Sequence, residues 1–424
     1  MNHFELKGGE LACEDVSLAA IAQAVGTPAY VYSTATLERH YRVFRDALAA
    51  HPEIGEPFVA YAVKANSNLA VLSTLARLGA GADTVSEGEI RRALKAGIPP
   101  DRIVFSGVGK TARELAFALE VGVAEINVES EPELELLAKI AAERGARPAI
   151  AIRVNPDVGA GGHQKISTGL AESKFGVSFS EAGRLYAMAT GTPSLKAVGV
   201  TCHIGSQITD LAPLEAAFVR MRQLVLQLRA EGFSVERLDL GGGLGVPYFH
   251  QPDPPTPADY AAMVARVVGQ LGLQMAFEPG RVIAANAGVL LARVIHIHAR
   301  PDGRRFLVLD AAMNDLIRAA MYDAYHDLRP VRPRPGEATP YDVVGPICET
   351  GDTFTRDRAL PPLEAGDLVA FMSAGAYGAV MSSEYNSRPL VPEVLVRGDA
   401  FAVVRERPTY EEMFERERLA PWQG

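Results

Sequence analysis

The stretch FVAYAVKANSN, residues 58–68, carries the first decision about the fold. Its opening residues are apolar or small, as in a strand buried on both faces, yet the run delivers an ammonium, Lys64, to its C-terminal end. A lysine held there either meets an anion or has a reason to lose its proton.

Seven comparable runs follow: GADTVS (81–86), RIVFSG (102–107), EINVES (125–130), AIAIRVNP (149–156), AVGVTCHIGS (197–206), RLDLGGG (237–243) and QMAFEPGR (274–281). Between them lie segments with apolar residues at helical spacing, such as EGEIRRALKAG and LEAAFVRMRQLVLQLRAEG, and glycine or proline marks most junctions. Short apolar strands alternating with helices imply parallel β/α units, and eight such units close a (β/α)8 barrel. An open doubly wound sheet is the alternative, but it would carry a glycine loop after its first strand, where this chain has Lys64.

The polar residues at the strand ends fit a barrel. Read in order they are Lys64, Ser86, Asn127 or Glu129, Arg153, His203, the triple glycine 241–243, and Glu278 with Arg281. Barrels place their chemistry on this C-terminal face and commonly bind phosphate after strands seven and eight. After about residue 290 the pattern changes: RVIHIHARPDGRRFLVLDAA reads as a hairpin turning at Pro301–Gly303, and GDLVAFMSAGAYG and EVLVRGDAFAVVRER as further strands. TPAYVYS, ahead of the barrel, is read as pairing with them. The expected fold class is α/β: a TIM-like barrel over residues 35–289, then a mostly antiparallel β domain formed by 1–34 and 290–424.

Composition narrows the function. The 424 residues are 48% hydrophobic and 22% charged, with a net charge of −9, which argues against nucleic acid or an anionic membrane as partner. No secretory signal or membrane span is read, and the three cysteines (Cys13, Cys202, Cys348) have no metal spacing. A reduced, cytoplasmic protein without a metal is expected.

Lys64 reads either as a structural ion pair or as a Schiff-base lysine. The glycines 241–243 read either as a bare turn or as a phosphate cradle. Together, a lysine and a phosphate cradle suggest pyridoxal 5′-phosphate. Glu278 could pair with Arg281, or hold a proton on the pyridine nitrogen and so favour loss of carbon dioxide. His203 is a core histidine or a ring stacked on the cofactor. Arg318 and Tyr322, four apart, can face one ligand or belong to an amphipathic helix. Cys348, in the polar turn CETGD, reads less readily as a buried hydrophobe.

In this order, YAVKAN, HIGSQ, GGG, EPGR, CETGD and AGAYG resemble the fold-type III pyridoxal phosphate decarboxylases. DAAMNDLIRAAMYDAYH (310–326), the loop 155–177 and SSEYNSRP are similar to the diaminopimelate decarboxylases among them, although the loop's VGAGGHQ is richer in glycine. The resemblance implies that Lys64 attaches the cofactor, His203 stacks on it and Glu278 meets its nitrogen. It gives Ser206, Gly243, Gly280, Arg281 and Tyr377 to the cofactor's phosphate. Arg281, Arg318, Tyr322, Glu349 and Tyr377 fall to the substrate, and Cys348 becomes a proton donor supplied across a homodimer. The implied reaction takes meso-2,6-diaminopimelate to L-lysine and carbon dioxide. Arginines beside an acid suit a distal end bearing both carboxylate and amine. A related decarboxylase of ornithine, arginine or a polyamine precursor, and a non-catalytic cofactor-binding homologue, are the alternatives.

Overall fold

Eight parallel strands close a barrel in the computed structural model, which describes residues 2–160, 168–169, 172–248 and 253–423. They are Phe58–Ala62, Gly81–Thr84, Ile103–Phe105, Glu125–Val128, Ala149–Asn155, Lys196–Thr201, Arg237–Asp239 and Gln274–Phe277. Each pairs with the next, and the eighth pairs with the first through Ala276 and Phe58. Residues 161–167 and 170–171 of the glycine-rich 155–177 loop lie outside the described residues. The chain divides into two compact units, Leu37–Ala285 and Met1–Thr36 with Asn286–Gly424. The second boundary falls a few residues before the expected one because the first long strand of the β unit already starts at Gly288.

Every strand is shorter at its C-terminal end than the sequence run suggests, because the polar tips are spent on turns and caps. Lys64 lies in a 3-10 turn, Val63–Ala65. Ser86 caps the helix Glu87–Lys95 by accepting the Glu89 N–H, so its hydroxyl is engaged there. Outside the strands, helices bury one face each. Leu211–Ala230 turns Leu214, Phe218, Met221, Val225 and Leu228 inward at helical spacing, each large side chain stabilising the fold by about 1.5–3 kcal/mol. Thr111 with Glu114 and Thr256 with Asp259 form capping boxes at two other helix starts.

Register decides what fills the barrel, since residues in register on neighbouring parallel strands point to the same side. Phe58, Ala60, Val104 and Ala276 form one buried cluster. Asp83 is in register with Val104, and Asp239 with Ala276, so both acids face the same interior. Arg237 and Glu125 pair at 3.0 Å there, and the guanidinium groups of Arg102 and Arg237 lie over the Phe58 ring at 5.1 and 5.5 Å. Burial lifts the Glu125 carboxyl to about 7 even though Arg237 pulls it down. Only small residues fit between such groups. A Cβ on Gly199 would stand 2.2 Å from the Arg237 carbonyl oxygen.

In the β-rich unit, Ala29–Ser33 pairs antiparallel with Gly288–Ala299 and parallel with Glu393–Arg397, as the early strand was expected to do. The Gly288–Ala299 and Arg305–Leu309 hairpin turns through Gly303, whose φ is +88°. Its core gathers Leu11, Leu18, Ile21, Val31, Leu291 and Val394.

Gly199→Ala is expected to destabilise the chain by about 1–3 kcal/mol, because a strand carbonyl must move. Gly191→Ala, with nothing within 4 Å of its Cβ, is expected to stay within about 0.5 kcal/mol in the same urea titration. Equal midpoints for the two variants would contradict this packing.

Candidate active site

Strand one ends by turning Lys64 towards strand two, where its Nζ donates to Asp83 Oδ2 at 2.8 Å. The Asp83 side chain is fully buried. The lysine has therefore found an anion within the barrel itself, and the reading as an ion pair is realised in this structure.

Glu278 follows strand eight. Its N–H donates to the Gly241 carbonyl at 2.8 Å, and its Oε1 is buried without a hydrogen-bond partner among the described residues. Burial, then the charges of Asp239 and Asp83, push its carboxyl well above the ordinary carboxylate range, against the pull of Lys64 and Arg153. Arg153 is itself held by Glu129, Nη1 to Oε1 at 2.8 Å, and lies over the Phe175 ring at 4.9 Å. Glu129 also accepts N–H groups from Gly107 and Gly176, fixing three turns at once.

His203 lies just beyond strand six. Its Nδ1 accepts the Gly242 N–H at 3.2 Å, which requires an unprotonated nitrogen there. Burial and then the nearby charges of Lys64 and Arg153 hold the imidazole well below its usual range, so it is neutral.

The triple glycine is a packing requirement before it is anything else. A Cβ on Gly241, Gly242 or Gly243 would lie 2.4, 2.3 or 2.8 Å from the carbonyl oxygens of Cys202, Glu278 and Gly205 respectively. Gly241 and Gly243 also have positive φ, +64° and +116°. The glycines draw the ends of strands six, seven and eight together. Beside them, Arg281 is buried and donates from Nε and Nη2 to Ser206 Oγ at 3.1 and 3.0 Å, and from Nη1 to the Tyr248 hydroxyl at 3.0 Å. Gly280 immediately precedes the short helix Arg281–Ala284.

Lys64, His203, Ser206, Gly243, Glu278, Gly280 and Arg281 thus share the barrel unit, while Arg318, Tyr322, Cys348, Glu349 and Tyr377 belong to the β-rich unit. There, the helix Arg318–Tyr322 is a single turn with Arg318 buried. Arg318 Nη1 lies 2.9 Å from His326 Nε2, and His326 Nδ1 lies 3.0 Å from the Met372 carbonyl. A carbonyl only accepts, so Nδ1 carries the hydrogen and Nε2 receives the arginine's. Cys348 is exposed, which excludes the buried-hydrophobe reading. Its turn is pinned by Asp352, whose carboxylate accepts the N–H groups of Met313 and Ile347, each at 2.7 Å. The neighbouring Glu349 carboxylate holds the Tyr385 phenol above its usual range. Tyr377 adopts a left-handed φ of +55°, uncommon for a bulky residue.

A family model described as "Pyridoxal-dependent decarboxylase, pyridoxal binding domain" matches residues 34–285. The chain belongs to the pyridoxal-dependent decarboxylases. Among relatives of this decarboxylase, the diaminopimelate decarboxylase of Pseudomonas fluorescens is 52% identical over 422 residues, 99% of this chain and 100% of that one. The diaminopimelate decarboxylase of Zymomonas mobilis is 50% identical over 420 residues, 99% of each. In three dimensions, the diaminopimelate decarboxylase of M. jannaschii in co-complex with L-lysine superposes with a TM-score of 0.95 at 36% identity, covering 100% of both chains.

The barrel residues of this decarboxylase fit pyridoxal phosphate. An amine (Lys64), a neutral imidazole (His203) and a carboxyl with an oxygen lacking a donor (Glu278) are what an aldehyde, a ring face and a ring nitrogen require. Sequence reasoning missed Asp83, Asp239, Tyr248, His326, Asp352 and Tyr385. The first two are acids within strands, and only the strand register shows that they face the interior.

A neutral His203 makes a testable demand. Its folded-state pKa is depressed, so whatever stability comes from burying the uncharged ring is complete above the usual imidazole value of about 6.5 and is lost as pH falls below it. Its imidazole resonances, assigned by loss in His203→Asn, are expected to show no titration midpoint near the usual value of about 6.5, and a midpoint there would contradict the assignment.

Proposed function

We propose that this chain removes one carboxyl group of meso-2,6-diaminopimelate as carbon dioxide and leaves L-lysine, with pyridoxal 5′-phosphate as cofactor. The supporting observation is the convergence of Lys64 and the unpartnered Glu278 oxygen in the barrel of a chain that matches diaminopimelate decarboxylases along its whole length. When bound, the cofactor supplies the electron sink that makes loss of carbon dioxide from the α-carbon accessible.

The chain's own residues do the rest. Lys64 would hold the cofactor and would be freed when the substrate amine takes its place. Glu278 would keep a proton at the ring nitrogen, and His203, being neutral, would meet the ring without adding a competing charge. Ser206, Gly243, Gly280, Arg281 and Tyr377 serve the phosphate. Arg281, Arg318, Tyr322, Glu349 and Tyr377 hold the distal carboxylate and amine, arginine forks for the first and an acid for the second. Cys348 returns a proton to the α-carbon. Its exposure in the β-rich unit suits a donor presented to another protomer, in keeping with a proposed working form that is a cytoplasmic homodimer with shared sites.

Carbon dioxide release from meso-diaminopimelate is expected only when pyridoxal phosphate is present, and ornithine is expected to turn over far more slowly. Matching rates for the two substrates would overturn the substrate assignment. Cys348→Ala is expected to lower kcat by about 10²–10⁴-fold while KM stays within a few fold, the signature of a lost proton donor. A KM effect with kcat intact would make Cys348 a binding residue instead.

A further inference from the structure

Asp239 and Glu278 face the same interior from neighbouring strands seven and eight. Asp239 is in register with Ala276, two residues before Glu278 on the next strand. Gly241 ties the two together: its N–H donates to Asp239 Oδ1 at 2.7 Å, and its carbonyl accepts the Glu278 N–H at 2.8 Å. Both side chains are buried, Asp239 at 1% and Glu278 at 7% exposure. Asp239 Oδ2 and Glu278 Oε1 are each buried with no partner among the described residues. Two acceptor oxygens facing no donor are costly, and one proton between the two carboxyls satisfies both.

The surrounding charges leave no cheaper solution. Lys64 is bonded to Asp83, Arg153 to Glu129 and Arg237 to Glu125. Among the described residues each of these three cations therefore already holds a carboxylate, and Asp239 and Glu278 share what field remains. Cys202 and Tyr260, also packed nearby, have their own acidities suppressed by burial and by Asp239, so neither supplies charge. Burial raises both acids, Asp239 to about 6 and Glu278 well above the ordinary carboxylate range, and the Gly241 N–H donated to Asp239 favours its charged form, leaving the proton to Glu278.

We propose that Asp239 is a positioning residue that shares one proton with Glu278, and that this stored proton is the one Glu278 passes to the ring nitrogen of pyridoxal phosphate. The inference rests on Glu278 being the ring-nitrogen partner. The O–H bond of Glu278 breaks and an N–H bond forms on the ring, leaving a carboxylate against a pyridinium. The pair gains no proton from water.

Calorimetry in buffers of different ionisation enthalpy counts the protons taken up when the full-length chain binds pyridoxal phosphate. In Asp239→Asn, Glu278 loses its anionic neighbour and gains an amide N–H that can donate to its buried oxygen, so it is expected to ionise before the cofactor arrives and binding to take up about one proton more than in the wild type. In a Glu278→Gln background the same substitution is expected to change the count by nothing. An unchanged count in Asp239→Asn, or a change that survives in the Gln background, overturns the proposal even if affinity falls. Should Asp239→Asn not fold, the wild type still decides. Its infrared difference spectrum against Glu278→Gln, taken without cofactor at neutral pH, is expected to contain a protonated-carboxyl band, and the lack of one overturns the pair. That readout needs no bound cofactor, so it is distinguishable from a failure of the cofactor reading.

Discussion

Asp83, Asp239 and Glu278, three carboxyl groups buried inside one barrel, cannot all be ionised. Each charge taken out of water costs several kcal/mol unless it is paired, and like charges add to that cost. The interior resolves the conflict by pairing Asp83 with Lys64 and by raising the Glu278 carboxyl well above the ordinary carboxylate range. Burial keeps His203 neutral, and the charges of Lys64 and Arg153 beside it act in the same direction. Charge neutrality in a closed volume thus sets the state of each group that a cofactor would touch.

That arrangement depends on backbone geometry more than on side-chain choice. Gly241, Gly242 and Gly243 let the ends of three strands approach within distances that any Cβ would block. Without that approach the Gly241 carbonyl would not meet the Glu278 N–H. Lower in the barrel, Arg237, Glu125 and Phe58 form a charged and aromatic floor in place of an aliphatic one. Gly199 makes room beside it.

Much of this was legible in the residues. Strand count, strand order and the polar tips follow from short apolar runs that alternate with helical periodicity, and the hairpin at Gly303 follows from its turn chemistry. Lys64, His203, Glu278 and Arg281 announced themselves as polar residues at the ends of buried strands. Asp83 and Asp239 did not, because an acid in GADTVS or RLDLGGG looks like any strand residue until register shows which side it faces. His326 and Asp352 were hidden for a different reason. Their roles lie in hydrogen bonds to the Met372 carbonyl and the Met313 N–H, distant backbone groups that no local pattern reveals. Ser86, at a strand tip, turned out to be a helix cap, a role its own sequence Ser-Glu-Gly-Glu also encodes.

The central claim is that Lys64, positioned by Asp83, is the amine that carries the cofactor. Borohydride reduction of the chain saturated with pyridoxal phosphate, followed by peptide mass spectrometry, tests it most directly. The reduced phosphopyridoxyl group is expected on the peptide containing Lys64 and to be absent from that peptide in Lys64→Ala. A stoichiometric adduct on any other lysine, with Lys64 unmodified, would contradict the claim.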